Sequence, residues 1–135
     1  MAGLPVTLNL DGAACLVVGA GPVGRRKAAT LAAAGAVVTV LAPELNRPFQ
    51  AGDCAGHRLV VAATDDRATN DAIAADAHAH GAWCNRADRP GGGDLAFAAV
   101  HRAGDITIGV SSGGTDPAHA TSVRDRIAVL LGDRP

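Results

Sequence analysis

In 135 residues the chain carries 12 Lys and Arg against 13 Asp and Glu, a net charge of −1 at pH 7, and its 48% apolar residues are mostly Ala, Val and Leu. That length suits one core, and the near-neutral charge, with only Phe49, Phe97 and Trp83 as aromatics, excludes an electrostatic or stacking surface for nucleic acid. Cys15, Cys54 and Cys84 are odd in number and lack paired spacing, which argues against a disulfide framework or zinc site, and no run resembles a leader or a membrane span; a soluble, cytoplasmic protein is expected.

"ACLVVGA" (13–19) is a continuous apolar run entering a glycine turn, the pattern of a parallel strand buried on both faces. "PVGRRKAATLAAAG" (22–35) follows as a helix with Val23, Ala28, Leu31 and Ala34 near helical spacing, Gly35 as its stop, and Arg25, Arg26 and Lys27 on its solvated face. "AVVTVLAP" (36–43) is a second strand closed by Pro43. Residues 44–58 show no period and read as loop with a turn of helix. "LVVAAT" (59–64) is a third strand, "DDRATNDAIAADAHAHG" (65–81) an Ala-rich helix with an acidic start, and "AWCNRA" (82–87) a fourth strand. Such alternation predicts an α/β fold, a Rossmann-like doubly wound parallel sheet.

After Gly93 the rhythm changes. "LAFAAVHRAGDITIGVSS" reads as two antiparallel strands joined at "RAGD". "GGTDPAHATSVRDRIAVLLG" reads as a helix with Asp116 as N-cap, Pro117 in its first position, and Val123, Ile127 and Leu130 or Leu131 as its apolar stripe. The expected organisation is a Rossmann-like NAD-binding domain over 1–93 and a hairpin and helix over 94–135, which either close the core or serve a second subunit.

Gly19-Ala20-Gly21-Pro22-Val23-Gly24 is a complete G-x-G-x-x-G. Its weight comes from its place between a buried strand and a helix. Gly19 permits the tight turn, Gly21 lets a pyrophosphate approach the backbone, Gly24 allows close helix–strand packing, and the helix N-terminus favours the negative charge. The acidic residue expected beyond the second strand is Glu44, slightly past the strand end, with Pro43 beside it. Arg47 leaves a 2′-phosphate, and so NADP, open; NAD is favoured.

The ordered blocks "LP" (4–5), "CLVVGAGPVGRRKAATLAAAGAVVTVLAPEL" (15–45), "AATDD" (62–66) with Asn70, "CNRADRP" (84–90) and "SSGGTDP" (111–117) with Arg124 cover nearly the whole chain. With them the chain resembles the precorrin-2 dehydrogenase and sirohydrochlorin ferrochelatase family, the N-terminal module of siroheme synthases. The resemblance implies NAD-dependent oxidation of precorrin-2 to sirohydrochlorin and, in bifunctional members, insertion of ferrous iron to give siroheme. It implies a homodimer as well, with the hairpin and last helix crossing to the other subunit. Pro22, Val23, Pro43 and Glu44 look like cofactor contacts, Asp88 like the active-site aspartate, and Ser112 like the serine at the mouth of the tetrapyrrole cleft. Several positions depart from the pattern: the 44–59 segment is short, Asp116 and His119 replace Ser and Leu, Thr121 stands where Arg is common, Gly91, Gly92 and Gly93 replace bulkier residues, and the chain stops one helix after "SSGGTDP".

Asp88 falls at the carboxyl end of a strand, the side on which open α/β sheets place ligands. A carboxylate there suits the removal of a proton while a hydride leaves a ring carbon, or the loss of pyrrole N–H protons before metal insertion. Arg86 and Arg89 would keep it ionised and could pair with substrate carboxylates. His119 is a candidate for the cleft; His78 and His80 lie two apart on a helix and make a poor metal pair, and no resident metal is expected. The second reading is a non-catalytic NAD-binding or sensing module on the same fold, suggested by the missing C-terminal region and the glycine-rich loop.

Overall fold

A computed structural model describes residues 3–89 and 91–132. Strands β1 (Ala14–Val18), β2 (Val37–Leu41), β3 (Leu59–Ala62) and β4 (Trp83–Arg86) form one parallel sheet in the order β2-β1-β3-β4. Val17 pairs with Val40 on one side and Val61 on the other, and Val61 pairs with Asn85. β1 and β3 are buried almost throughout, as strands covered on both faces must be, whereas β2 alternates between exposed and half-buried positions and ends buried at Leu41. Order reverses between β1 and β3, so their carboxyl ends frame the crevice where such sheets take ligands.

Helix α1 (Pro22–Ala33) connects β1 to β2, and α2 (Arg67–Ala79) connects β3 to β4. Leu16, Val18, Val60, Ala62 and Cys84 cluster with Ile73 and Ala77 of α2 and with Cys54 from the 42–58 segment. By the pleat, Cys15, Val17, Leu59 and Val61 turn to the opposite face, and α1 packs against β1, β2 and β3. The segment expected as loop is a series of turns that packs Phe49 against this core and buries Cys54 completely. Asp76 of α2 fastens it, accepting the backbone N–H groups of Gly52 (2.8 Å) and Cys54 (3.0 Å). Helix boundaries fall inside the expected ranges. Gly35 adopts φ +89° just past α1, and Asp66 caps α2 by accepting the Thr69 N–H at 3.1 Å.

β4 would be an open edge, but residues 93–95 line it. The Asp94 N–H donates to the Cys84 carbonyl (2.8 Å), the Cys84 N–H to the Asp94 carboxylate (2.8 Å), and the Asn85 amide to the Leu95 carbonyl (2.9 Å). Gly93 permits this approach, since a Cβ there would lie 2.6 Å from the Cys84 carbonyl oxygen. His78 of α2 meets the same Asp94 carboxylate at 2.8 Å.

The chain divides into two compact units, Leu8–Leu95 and a second that holds the N-terminal segment to Thr7 and the residues from Ala96 onward. In the second, β5 (Ala99–Ala103) and β6 (Ile106–Val110) pair antiparallel around Gly104, and α3 (Pro117–Leu130) packs on both. Asp116 caps α3 as expected, accepting the His119 N–H at 3.0 Å. The apolar stripe differs: Ala120 is buried and Val123 and Ile127 half-buried, but Leu130 is 85% and Leu131 53% exposed. Leu130 is exposed together with Val129, Asp125 and Ser122.

Asn70 of α2 is fully buried and grips the residue that leaves β3 toward the crevice: its Oδ1 accepts from the Thr64 N–H (3.2 Å) and hydroxyl (2.7 Å), and its amide donates to the Thr64 carbonyl (3.0 Å). Asn70→Leu is expected to cost about 1–3 kcal/mol through stranded Thr64 groups, measured by denaturant unfolding; a loss under about 0.5 kcal/mol would show that water satisfies them.

Candidate functional site

The three glycines of the turn after β1 are there for different reasons. Gly19 has φ +119°, and a Cβ on it would stand 2.2 Å from the Ala63 carbonyl oxygen. At Gly24 a Cβ would stand 2.3 Å from the Gly19 carbonyl oxygen. Neither position admits a side chain. Gly21, the N-cap of α1, has ordinary angles (φ −72°, ψ −178°), and a Cβ there would meet nothing within 4 Å. The chain itself does not require glycine at 21; the open space beside it is what a pyrophosphate needs. The Arg25 N–H donates to the Gly21 carbonyl (3.0 Å), so the amides of Val23 and Gly24 precede the helical ladder, and Pro22 has no N–H to leave unpaired. Pro22 and Val23 are exposed at this end. These residues fit a bound dinucleotide.

At the end of β2, Pro43 and Glu44 are exposed on a turn held by Asn46. Its Oδ1 accepts from the N–H groups of Ala42 (3.1 Å) and Arg47 (2.7 Å), and its amide donates to the Val40 carbonyl (2.9 Å). Asn46 escaped the sequence reading, although an Asn shortly after a strand-ending Pro is a turn signal.

Arg86 and Asp88 come together as their spacing suggested, although β4 has ended by then and a turn carries Asp88. Arg86 Nε and Nη2 donate to the two Asp88 carboxylate oxygens at 3.2 and 3.0 Å, and Nη1 donates to Asp71 of α2 at 2.6 Å. The Arg86 side chain is only 6% exposed and that of Asp88 22%, even though the Asp88 residue as a whole is exposed through its backbone. Burial pushes the Asp88 carboxyl up; the Arg86 guanidinium and the Asn70 amide more than offset this and hold it below the ordinary carboxylate range. Arg86 is thus committed to two carboxylates within the chain and serves Asp88 before any ligand. Arg89 is exposed, and Pro90 lies outside the described residues.

Asp71 was not singled out from the sequence, because nothing local ties it to a residue fifteen positions on. Asn85, beside Arg86, is buried, and among the described residues its Oδ1 has no hydrogen-bond partner, an acceptor at the carboxyl end of the sheet. Cys84 is no competitor as a nucleophile: burial and the nearby Asp94 carboxylate push its thiol up to about 11.

Ser112 and His119 belong to the second unit. The Ser112 hydroxyl accepts the Asp116 N–H (2.8 Å) and so shapes the turn that launches α3; His119 is exposed on the first turn of that helix.

The glycine positions separate ligand binding from folding. Gly21→Ala should lower stability by less than about 1 kcal/mol, an N-cap effect, while weakening dinucleotide affinity about tenfold or more; Gly24→Ala should cost about 1–3 kcal/mol through overpacking. Calorimetric titration beside thermal unfolding checks both, and equal unfolding losses would refute the division of roles.

Residues 6–99 match the family model described as "Putative NAD(P)-binding". Siroheme synthase of Methylococcus capsulatus is 37% identical over an alignment of 147 positions that takes in 97% of this chain and 31% of that protein. Siroheme synthase of Azotobacter vinelandii is 37% identical over an alignment of 144 positions that takes in 95% of this chain and 31% of that protein. The chain therefore spans less than a third of the length of these curated relatives. A solved structure named "SirC, precorrin-2 dehydrogenase" matches with a TM-score of 0.77 at 22% identity, covering 95% of this chain and 71% of that one, which shows the shared fold. Because the family match takes in the glycine turn, all four parallel strands and the Arg86–Asp88 pair, the chain belongs to this NAD(P)-binding family.

Proposed function

We propose that the chain is an NAD-dependent precorrin-2 dehydrogenase, oxidising precorrin-2 to sirohydrochlorin. The observation that carries this reading is a carboxylate held ionised at the same sheet edge as the dinucleotide turn: parallel strands bring the ends of β1 and β4 to one side, with Gly21 open at one and Asp88 paired to Arg86 at the other. The siroheme synthases and the precorrin-2 dehydrogenase to which the chain is similar support the substrate class.

Bound NAD supplies the acceptor for the hydride that leaves a ring carbon. The chain's part is to bind, orient and take up the proton that leaves with it. Gly21, Val23 and Gly24 present backbone to the pyrophosphate, and Pro43 and Glu44 stand where the adenine ribose is read. Asp88 accepts the proton. Its pairing with Arg86 fixes the carboxylate and makes it a weak base that hands the proton on to water instead of keeping it. Arg89 is the proposed contact for the substrate, with Arg86 acting through Asp88. Insertion of ferrous iron as a second substrate would use the same carboxylate for pyrrole protons, and adding Fe(II) to the assay checks that step.

Anaerobic incubation with precorrin-2 and NAD should yield NADH and the sirohydrochlorin spectrum; tight NAD binding by folded protein with no turnover would favour a binding or sensing module instead. Asp88→Asn should leave NAD affinity within about twofold while lowering kcat about 10²–10⁴-fold. Because Asp88 lies below its ordinary range, its base form persists through neutral pH and is lost only as pH falls through that depressed value. The acid limb of kcat should therefore lie below about pH 4, and a limb near pH 6 would point to another base.

The reading includes a homodimer built through the second unit, supported by the exposed Ile106, Val129 and Leu130 there. Sedimentation should give twice the chain mass, falling to one chain mass in Leu130→Glu; a wild-type monomer would refute it.

A further inference from the structure

The loop after β2 carries charges of both signs in a fixed arrangement. Arg47 stands three residues beyond Glu44, on the segment from which dinucleotide folds read the adenine ribose and where an arginine would accommodate a 2′-phosphate. Its guanidinium is already taken. Nη1 donates to Asp53 Oδ2 at 2.9 Å and Nη2 to Asp53 Oδ1 at 2.8 Å, a fork-to-fork pair, and Nη1 also donates to the Pro48 carbonyl at 3.1 Å.

Asp53 is anchored where it stands. Its Oδ2 also accepts the Gln50 N–H at 2.7 Å, and its side chain is 13% exposed against 44% for Arg47. The next residue, Cys54, is fully buried, and its N–H is held by Asp76 of α2. The carboxylate therefore cannot follow the arginine outward, and reaching a ligand phosphate would cost Arg47 its bidentate pair. What the loop presents is the Glu44 carboxylate, which repels a 2′-phosphate, beside a guanidinium whose charge is answered from within.

We infer that Asp53 sets the cofactor choice: by holding Arg47 it withholds the cation a 2′-phosphate would need, and so selects NAD over NADP. This rests on the dinucleotide reading of the glycine turn, and it assigns a specificity role to a residue that touches no cofactor.

Binding of NADH and NADPH to the full chain, followed by nucleotide fluorescence and calorimetry, tests it without recourse to turnover. The wild type should bind NADH about tenfold or more tighter than NADPH. Asp53→Asn, which removes the counter-charge and keeps an acceptor for the Gln50 N–H, should raise NADPH affinity about tenfold and leave NADH within about twofold. The gain should vanish in the Arg47→Ala, Asp53→Asn double variant. Arg47→Ala alone should leave NADH affinity within about twofold and should not raise NADPH affinity, because the carboxylate it uncovers only adds to the repulsion. The inference is overturned if folded Asp53→Asn keeps the wild-type NADPH to NADH ratio, or if the wild type itself binds NADPH as tightly as NADH; the second result decides even if the Asp53 variant does not fold. Should folded wild type bind neither nucleotide, the dinucleotide reading itself falls, whereas tight NADH binding with an unmoved ratio sinks only the role of Asp53.

Discussion

Backbone meets backbone where β1 turns into α1: the Ala63 carbonyl at the end of β3 presses on Gly19, and the Gly19 carbonyl presses on Gly24. A methyl group at either position would occupy space already filled by peptide oxygen, so the strand end, the turn and the first turn of the helix are stacked without side chains between them. That stacking sets α1 flush with the sheet and aims its N-terminus along the carboxyl edge. Gly21, left outside the stack, is then free to face a ligand. The binding surface is made by what the core cannot accommodate next to it.

The electrostatics of the site follow from burial in a similar way. A guanidinium as covered as that of Arg86 must be paired, because an isolated buried charge loses its hydration without return. The chain answers it twice, from Asp71 on a helix and from Asp88 on a turn. A turn carboxylate would ordinarily sample many orientations; this one is tied to a side chain rooted in the sheet. Gly93, laid against the Cys84 carbonyl, fixes the far end of the same loop. Gly93 therefore allows close packing of that loop onto β4, and Gly92 close packing of the loop on Arg89, where a reading of composition alone suggests slack.

How much of this is legible in the sequence depends on separation along the chain. The glycine turn, the Asp116 cap and the alternation of strands and helices are written in spacings of a few residues, and the fold confirms them. The Arg86–Asp88 pair is visible as a charged cluster because its members are two apart. Asp71 is invisible because the α2 to β4 crossover alone brings it to Arg86. Leu130 misleads for a related reason: helical spacing gives the stripe, but only the fold says how far along α3 the stripe is covered. Arg47 is the sharpest case, since the sequence displays a cation three residues past Glu44 and conceals that Asp53 has already paired with it.

The lining of β4 by residues 93–95 also bears on how the sheet behaves among other chains. An exposed strand edge is a template for strand addition, whether by a partner or by an aggregating copy. Here the N–H and C=O of Cys84 are consumed by Asp94, and the Asn85 side chain ties Leu95 alongside. The remaining edge is β2, where Val37 is 63% exposed and alternate residues stand open to solvent. Growth of this sheet is thus directional: it is closed beside Asp88 and, apart from the Val40 carbonyl that Asn46 takes, open at the opposite margin, so edge-to-edge association would begin at β2 and leave the Asp88 end clear.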